Sequence, residues 1–286
     1  MTRNNEDRLG AKKPDANPPV VSSDDGRGEG FSFAVPTDFV ELPSGGRFYD
    51  EEYPLHDKEF VEIKFMTARE EDILSSRSLL KKGVAIDRML KNILVDKAID
   101  VDNLLIGDKN AIIIAARVTG YGEDYETKVV CPSCASSVEH NFNLGEKEIS
   151  RGGLECVEEG LGIVQNANTF TIPLPKTKVD VEVRLLCSKD ETKLAKLAES
   201  KKKNKLPEAP LTDQLKSFII SVNGRPESAL IAEFIDVLPA IDSKYLRNIY
   251  GKLTPHVDLA QEFQCEVCDF VENMEVPFTT DFFWSR

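Results

Sequence analysis

Hydrophobic and polar positions follow first a strand-like and then a helix-like pattern early in the chain. Residues 61–66 alternate with the period of two expected for a half-buried strand. Thr67 and Glu70 then have the spacing of a capping box at the start of a helix. We expect this helix to continue to about Lys82 and to end at Gly83, because glycine readily adopts the left-handed conformation that ends helices.

Two further helices are predicted before the first pair of closely spaced cysteines. Asp87 is a candidate N-cap, and Asp108 marks the start of a third helix. Residues 126–130 and 138–144 are strand-like and flank the cysteines. The second helix has an apolar face with helical spacing, formed by Met89, Leu90, Ile93 and Leu94.

The same order of elements recurs in the second part of the chain. A strand at 181–187 precedes a capping box shifted by one residue, at 188–191, and a helix follows from Thr212. The interval from Asp108 to Cys131 equals the interval from Asp242 to Cys265. We interpret this series as an internal duplication. The predicted fold class is α+β, with two strand-plus-helices units related by a pseudo-twofold axis.

Two Cys-x-x-Cys pairs separated by 134 positions carry the candidate chemistry. The spacing suits one tetrahedral zinc ion bound by four thiolates, in a zinc ribbon split between the two units. A redox dithiol and an iron-sulfur site are the alternatives, although catalytic dithiols usually lie at helix N-termini. His140 and His256 lie near these turns, where we expect surface or outer-sphere histidines rather than ligands. The four predicted ligands of the single structural zinc are Cys131, Cys134, Cys265 and Cys268.

Composition and charge narrow the function. The 286 residues are 41% hydrophobic, which provides enough apolar material for folded domains, and the net charge is −13. An acidic chain is poorly suited to bind nucleic acid, and we expect the basic run at 201–205 to be a solvated linker or helix end. The sequence shows no membrane span and no signal peptide, so we expect a reducing cytoplasm. Cys156 and Cys187 are then expected to be buried or idle thiols.

No constellation of residues points to catalysis. The chain lacks a phosphate-binding glycine-rich loop, a Gly-x-Ser-x-Gly motif and a His-Glu-x-x-His motif, and it has three histidines. The acidic residues 70–72 fall in the first turn of a predicted helix, where negative charge complements the helix dipole. We therefore expect a protein that is not an enzyme.

The ends of the chain differ from its middle. Residues 1–35 are polar and rich in glycine and proline, which predicts a disordered tail whose Phe31, Phe33 and Val35 could order on a neighbouring protein. The aromatic segment 282–284 either packs on its own core or inserts into a partner. The predicted divisions are a tail (1–35), a docking arm (36–58), unit 1 (59–145), a connector (146–178), unit 2 (179–279) and an aromatic tail (280–286).

Segments of the docking arm and of the first unit resemble a known family. The segments that carry the resemblance are FVELPSGGRFY at 39–49, YPLH at 53–56, VEIKFMTAREEDIL at 61–74 and RSLLKKG at 77–83. They look like the T-even-type bacteriophage base plate protein family, whose members are assigned to the baseplate hub of contractile tails as hub subunits or hub assembly proteins. The resemblance implies partners among other phage baseplate or hub proteins. It also implies a location in the host cytoplasm during assembly, followed either by a place in the tail baseplate of the virion or by release as an assembly chaperone. It brings no catalytic residues.

Two other functional classes remain open from the residues alone. A zinc-ribbon adaptor of transcription or replication machinery would bind nucleic acid in a salt-sensitive way. A thiol oxidoreductase would reduce disulfides and would need no metal. We expect neither small-molecule substrate nor membrane as a partner.

Overall fold

Helices and short antiparallel strands alternate in the computed structural model, which describes residues 34–277 and 282–283. The helices are α1 (Ala68–Ser75), α2 (Arg77–Lys81), α3 (Ala85–Ile93), α4 (Ile106–Tyr121), α5 (Ser188–Lys203), α6 (Pro210–Phe218), α7 (Ser228–Val237) and α8 (Ala240–Leu253). The strands are β1 (Thr37–Glu41), β2 (Phe60–Lys64), β3 (Asp124–Val130), β4 (Ser137–Asn143), β5 (Glu148–Ser150), β6 (Val164–Asn166), β7 (Thr169–Pro173), β8 (Asp180–Arg184), β9 (Ile219–Val222), β10 (His256–Asp258), β11 (Gln261–Gln264) and β12 (Val271–Met274). The predicted α+β class is confirmed.

The first helix begins where the sequence predicts but is interrupted. β1 pairs with β2 in an antiparallel hairpin, and Thr67 and Glu70 form the predicted capping box of α1. The helix does not continue to Lys82, because Ser76 is extended (φ −69°, ψ 106°) and separates α1 from α2. Gly83 follows with a φ of 66°, as expected for the residue that ends the helical run.

The second helix starts two residues before its predicted cap. α3 begins at Ala85, so Asp87 lies in its first turn and the prediction of an N-cap there is wrong. Its carboxylate instead pairs with the ammonium group of Lys109 at 3.1 Å. Because Lys109 is buried, this ion pair compensates for the loss of its hydration.

The second half contains a four-stranded antiparallel sheet in the order β6-β7-β8-β9. After β8, Cys187 caps α5 by forming a capping box with Asp190. The capping box predicted at 188–191 is therefore wrong. The observed box begins at Cys187, three residues after the end of β8, just as the box at Thr67 begins three residues after the end of β2. The signal was hidden because cysteine is an unusual capping residue.

Backbone contacts join the two halves. Strand β10 pairs with β5, and the Ser188 N–H donates to the Leu104 carbonyl at 2.8 Å. A Cβ at Gly107 in α4 would lie 2.0 Å from the Pro255 carbonyl oxygen, so a residue with a side chain would push these segments apart. One continuous set of buried apolar residues extends from Val40 to Phe283. The halves therefore share a core.

The two ends of the chain are described only in part. The disordered tail predicted for 1–35 lies outside the described residues except for positions 34 and 35. Of the predicted aromatic tail, Phe282 and Phe283 are described, and both are buried. The longest helices of the described segments, α4 and α5, have 16 residues, and none is both long and apolar enough to cross a membrane.

Candidate metal centre

The first cysteine pair lies in the turn between β3 and β4. The Cys131 N–H donates to the Ser136 carbonyl, and the Ala135 N–H donates to the Cys131 carbonyl, both at 2.9 Å. Ala135 has a φ of 57°, which folds the chain back after Cys134. These bonds form a tight turn that presents both sulfurs on the same side.

The second pair has the same backbone geometry between β11 and β12. The Cys265 N–H donates to the Phe270 carbonyl at 2.8 Å, and the Asp269 N–H donates to the Cys265 carbonyl at 3.0 Å. Asp269 has a φ of 55°, matching Ala135 in the first turn. We call these two turns, residues 131–136 and 265–270, the first and second knuckle.

The two knuckles bring all four sulfurs together. The Sγ atoms of Cys131 and Cys268 are 3.7 Å apart, those of Cys134 and Cys265 are 3.8 Å apart, and all four lie within 4.8 Å of one another. A disulfide requires about 2.05 Å between its sulfurs, so none of these contacts is a disulfide. A tetrahedron with zinc-sulfur bonds of about 2.3 Å has edges of about 3.8 Å, so the arrangement fits a four-thiolate metal site.

Burial and local hydrogen bonds divide the four thiols into two kinds. Cys131 and Cys265 are buried, whereas Cys134 and Cys268 are exposed. Hydrogen bonds from the Ser136 hydroxyl and backbone lower the pKa of Cys134 to about 6, which favours its thiolate at neutral pH. The pKa of Cys268 is raised to about 12: the Phe270 N–H favours its thiolate, but desolvation and the three neighbouring sulfurs disfavour it more. A bound cation would offset this crowding of negative charge.

Side-chain contacts away from the sulfurs hold the two hairpins together. The Gln261 amide accepts from the Asn143 N–H at 2.9 Å and donates to the Asn143 carbonyl at 2.6 Å. The His140 ring packs edge-on against Phe142 and Phe263, with centroids 4.6 and 5.3 Å away. His256 is exposed and contacts the Thr254 carbonyl through Nδ1. Within the described segments, the cluster able to hold a metal consists of the four cysteines, without a histidine.

Comparison with known protein families identifies the family of this chain. The family described as T4 bacteriophage base plate protein matches residues 37–284. The chain belongs to this family. No curated protein and no solved structure matches it. The match covers both halves and both knuckles, so the four-cysteine cluster lies within the baseplate family region rather than in an added domain.

A buried arginine of this baseplate protein joins the C-terminal segment to the first hairpin. The Arg117 guanidinium donates to the carbonyls of Phe282, Gly122 and Asp124 at 2.9, 2.9 and 3.0 Å. The Phe282 ring packs edge-on against Tyr125 of β3, with centroids 5.1 Å apart. Sequence reasoning missed this contact. Its one signal was an arginine within the otherwise apolar stretch of α4.

The remaining cysteines of the baseplate protein lie away from the metal centre. Cys187 is buried, and its thiol donates to the Asp190 carboxylate at 3.0 Å. Burial and this carboxylate raise its pKa, so Cys187 stays a neutral donor. Cys156 is partly buried and contacts the Gly152 carbonyl at 3.4 Å. The expectation of a buried thiol holds for Cys187, but as the cap of α5 it is not idle.

The charged runs singled out in the sequence have structural contacts. In the basic run, Lys201 pairs with Asp213 of α6, and Lys203 pairs with Glu199 one turn earlier. In the acidic run, Glu70 caps α1, and Glu71 accepts a hydrogen bond from the Tyr121 hydroxyl at 2.9 Å. These contacts agree with the expectations of a helix end and of a structural first turn.

Proposed function

We propose that this chain is a non-enzymatic structural or assembly protein of the baseplate hub of a contractile-tailed phage, acting through contacts with other baseplate proteins. The observation that carries the proposal is the baseplate family match over residues 37–284. The four-cysteine cluster of the described segments supports the proposal. A metal ion bound by four thiolates would have no open coordination position for a substrate.

The proposed role of the four cysteines is to hold one structural zinc ion. Cys131 and Cys134 come from the first hairpin, whereas Cys265 and Cys268 come from a hairpin more than 130 positions later. A zinc ion bound there would supply a cross-link between the halves. Part of its binding free energy would then stabilise the fold.

The proposed origin of this arrangement is an internal duplication with a pseudo-twofold relation between the units. Three matched features support it. Each half has a strand followed directly by a capping box, at Thr67 and at Cys187. Each has an aspartate at the third position of its last long helix, Asp108 and Asp242. Each ends in a knuckle with the same two backbone hydrogen bonds. The proposed units are 59–145 and 179–279, joined by the connector 146–178.

The location and partners follow from the same proposal. The protein would fold in the host cytoplasm and bind other baseplate or hub proteins there during assembly. The predicted docking arm, 36–58, contacts the rest of the first half: the Ser44 N–H donates to Asp108 at 2.9 Å. The arm is thus suited to stiffen the first unit.

Co-expression with the other tail genes of the same phage tests the proposed function. We expect the tagged chain to purify with one or more baseplate proteins, and mass spectrometry of mature particles then distinguishes a permanent subunit from an assembly factor. Purification free of every tail protein would contradict the baseplate role. Metal analysis of the same material tests the zinc site separately, with one zinc per chain expected.

A further inference from the structure

Helices α1, α2 and α3 line an open groove that contains three basic side chains. Its volume is about 520 Å³, and its lining includes Arg69, Asp72, Ile73, Leu79, Arg88 and Lys91. Helix α2 has no buried residue, and Leu80 of α2 and Ile86 of α3 are 46% and 39% exposed. The groove lining therefore combines two apolar side chains with three cationic side chains and one carboxylate, that of Asp72.

The three cationic side chains of the groove lie in a locally basic stretch of a chain whose net charge is −13. Residues 73–92 contain five basic side chains and one acidic side chain, Asp87, whose carboxylate is bound to Lys109. Arg69, Arg88 and Lys91 form no ion pair with a carboxylate of residues 34–277 or 282–283. With Asp72 as its one carboxylate, the groove lining carries a net positive charge.

The second knuckle has the opposite character. Residues 261–275 contain five acidic side chains and no basic one. Glu266 and Val267 lie between the two cysteines of this knuckle, and Val267 is 64% exposed. Val271, three residues after Cys268, is also exposed. An apolar side chain bordered by carboxylates complements a groove lined by apolar and mainly cationic side chains.

The two surfaces are separate on one molecule. The Tyr121 hydroxyl bonds to Glu71, which places α1 beside the end of α4, just before β3. The seven residues of β3 then carry the first knuckle about 20 Å further along. The second knuckle lies beside the first, because their sulfurs are in contact. The groove is thus not filled by the knuckle of its own chain.

We propose that the groove of one copy binds the second knuckle of another copy, so that the chains associate head to tail. Val267 would contact Ile73 and Leu79, and the carboxylates beside it would pair with Arg88 and Lys91. Because the two surfaces differ, each bound copy leaves a free groove and a free knuckle, and the association closes into a ring or extends further. This inference does not depend on the baseplate role.

Two charge-reversed variants test the proposal by mixing. The groove variant is Arg88→Glu with Lys91→Glu, and the knuckle variant is Glu266→Lys with Val267→Lys. The side chains of all four residues project from the folded core, and the cysteines are unchanged. The control is Lys196→Glu with Lys244→Glu, which makes the same charge change as the groove variant at exposed positions on α5 and α8. Thermal melting and metal content establish that each variant is folded.

Sedimentation velocity over a range of concentrations gives the result. We expect the wild-type chain and the control to self-associate, and each test variant to bind at least about a hundredfold more weakly. Higher salt should weaken wild-type association. When the two variants are mixed, the unchanged groove of the knuckle variant should bind the unchanged second knuckle of the groove variant, so one heterodimer interface should form.

Three outcomes would overturn the proposal. A wild-type chain that remains monomeric at high concentration has no such interface. Unchanged association of both variants would place the interface elsewhere. Loss of association in a chain that begins at residue 34 would identify the N-terminal tail, rather than the second knuckle, as the segment that binds the groove. Binding to other baseplate proteins is measured separately, so it can persist or fail independently.

Discussion

Asp108 and Asp242 each hold the backbone that follows a Leu-Pro pair, and each does so from the third position of its helix. Asp108 accepts the Ser44 N–H at 2.9 Å, after Leu42 and Pro43. Asp242 accepts the N–H groups of Lys176 and Thr177 at 2.9 and 2.8 Å, after Leu174 and Pro175. The helix dipole favours a negative charge at this position, so both aspartates support a hairpin and a helix start together.

The other groups that donate hydrogen bonds to the two aspartates differ. Substitution by asparagine is therefore predicted to change the free energy of unfolding unequally at the two positions. Asp108 also accepts from the hydroxyls of Ser44 and Tyr49, which can rotate to accept from an asparagine amide. Asp242 instead accepts from two backbone N–H groups, which cannot reverse. We expect Asp242→Asn to cost about 1–3 kcal/mol of unfolding free energy and Asp108→Asn clearly less, as measured by denaturant titration.

Burial strengthens this contrast. The carboxylate of Asp108 loses hydration in the core, which raises its pKa, so removing its charge recovers part of the cost. At Asp242 desolvation is outweighed by the two backbone N–H bonds together with the Thr177 side chain and the charge of Lys176, which lowers the pKa, so the charged form is favoured. A cost at Asp108 equal to or above that at Asp242 would contradict this account.

Regular spacing explains why the knuckles and the helices near them could be predicted from the sequence. A Cys-x-x-Cys pair between strand-like segments specifies a local turn, and the structure has β3 and β4 around Cys131 and Cys134. The capping box at Thr67 is likewise a local signal. The meeting of the four sulfurs could be predicted from a single further assumption, that both cysteine pairs bind the same metal ion.

Features that depend on tertiary contacts could not be predicted in this way. Nothing local to Arg117 indicates that its guanidinium binds the carbonyl of Phe282, 165 positions later. The break at Ser76 was likewise not predicted, because neither glycine nor proline marks it in the sequence. The cap at Cys187 was missed because its thiol replaces the usual hydroxyl.

Substitution of one cysteine from each knuckle tests the shared metal site. We expect Cys131→Ser and Cys265→Ser to lower metal content and melting temperature to similar extents, because each removes a buried ligand from the same tetrahedron. Metal content by mass spectrometry and melting by calorimetry provide the two measurements. Cys156→Ser is the matched control, since its thiol contacts a backbone carbonyl away from the site. Markedly different metal losses in the two variants would indicate two separate sites.

The capping role of Cys187 can be tested by exchange with the residue that caps α1. We expect Cys187→Thr to retain or raise stability, because a hydroxyl can donate to Asp190 as the Thr67 hydroxyl donates to Glu70 at 2.6 Å. Cys187→Val keeps a similar volume without the donor, and we expect it to cost about 1 kcal/mol. Equal stability of the two variants in urea unfolding would show that the capping bond is unimportant.

Asp190 should make stability depend on pH in the acid range. Burial opposes its charge, but bonds from the Arg184 guanidinium at 2.7 Å and from Cys187 outweigh it, so its pKa in the folded state lies well below the usual range. A carboxylate of this kind stabilises the fold above its unfolded-state pKa, about 3.9, and that contribution decreases as the pH falls through the folded-state pKa. Asp190→Asn should therefore be less stable than the wild type at pH 7, with a smaller difference near pH 2.

Urea titrations at several pH values provide this measurement. Asp236→Asn on α7 is the control, since Asp236 is exposed and the substitution removes the same charge. A gap between the wild type and Asp190→Asn that stays constant from pH 7 to pH 2 would show that the carboxylate of Asp190 is not the titrating group.

Truncation at the C-terminus separates the packed aromatic pair from the residues beyond it. Phe282 and Phe283 are buried, and Phe282 contacts both Tyr125 and the Arg117 guanidinium. We expect a chain that ends at residue 281 to melt at a lower temperature than a chain that ends at residue 283, because the shorter chain lacks both buried rings. Loss of a buried phenylalanine ring costs about 3–5 kcal/mol, so the difference should be clear in calorimetry. If both truncated chains melt like the full chain, the aromatic pair does not stabilise the fold and is available to a partner.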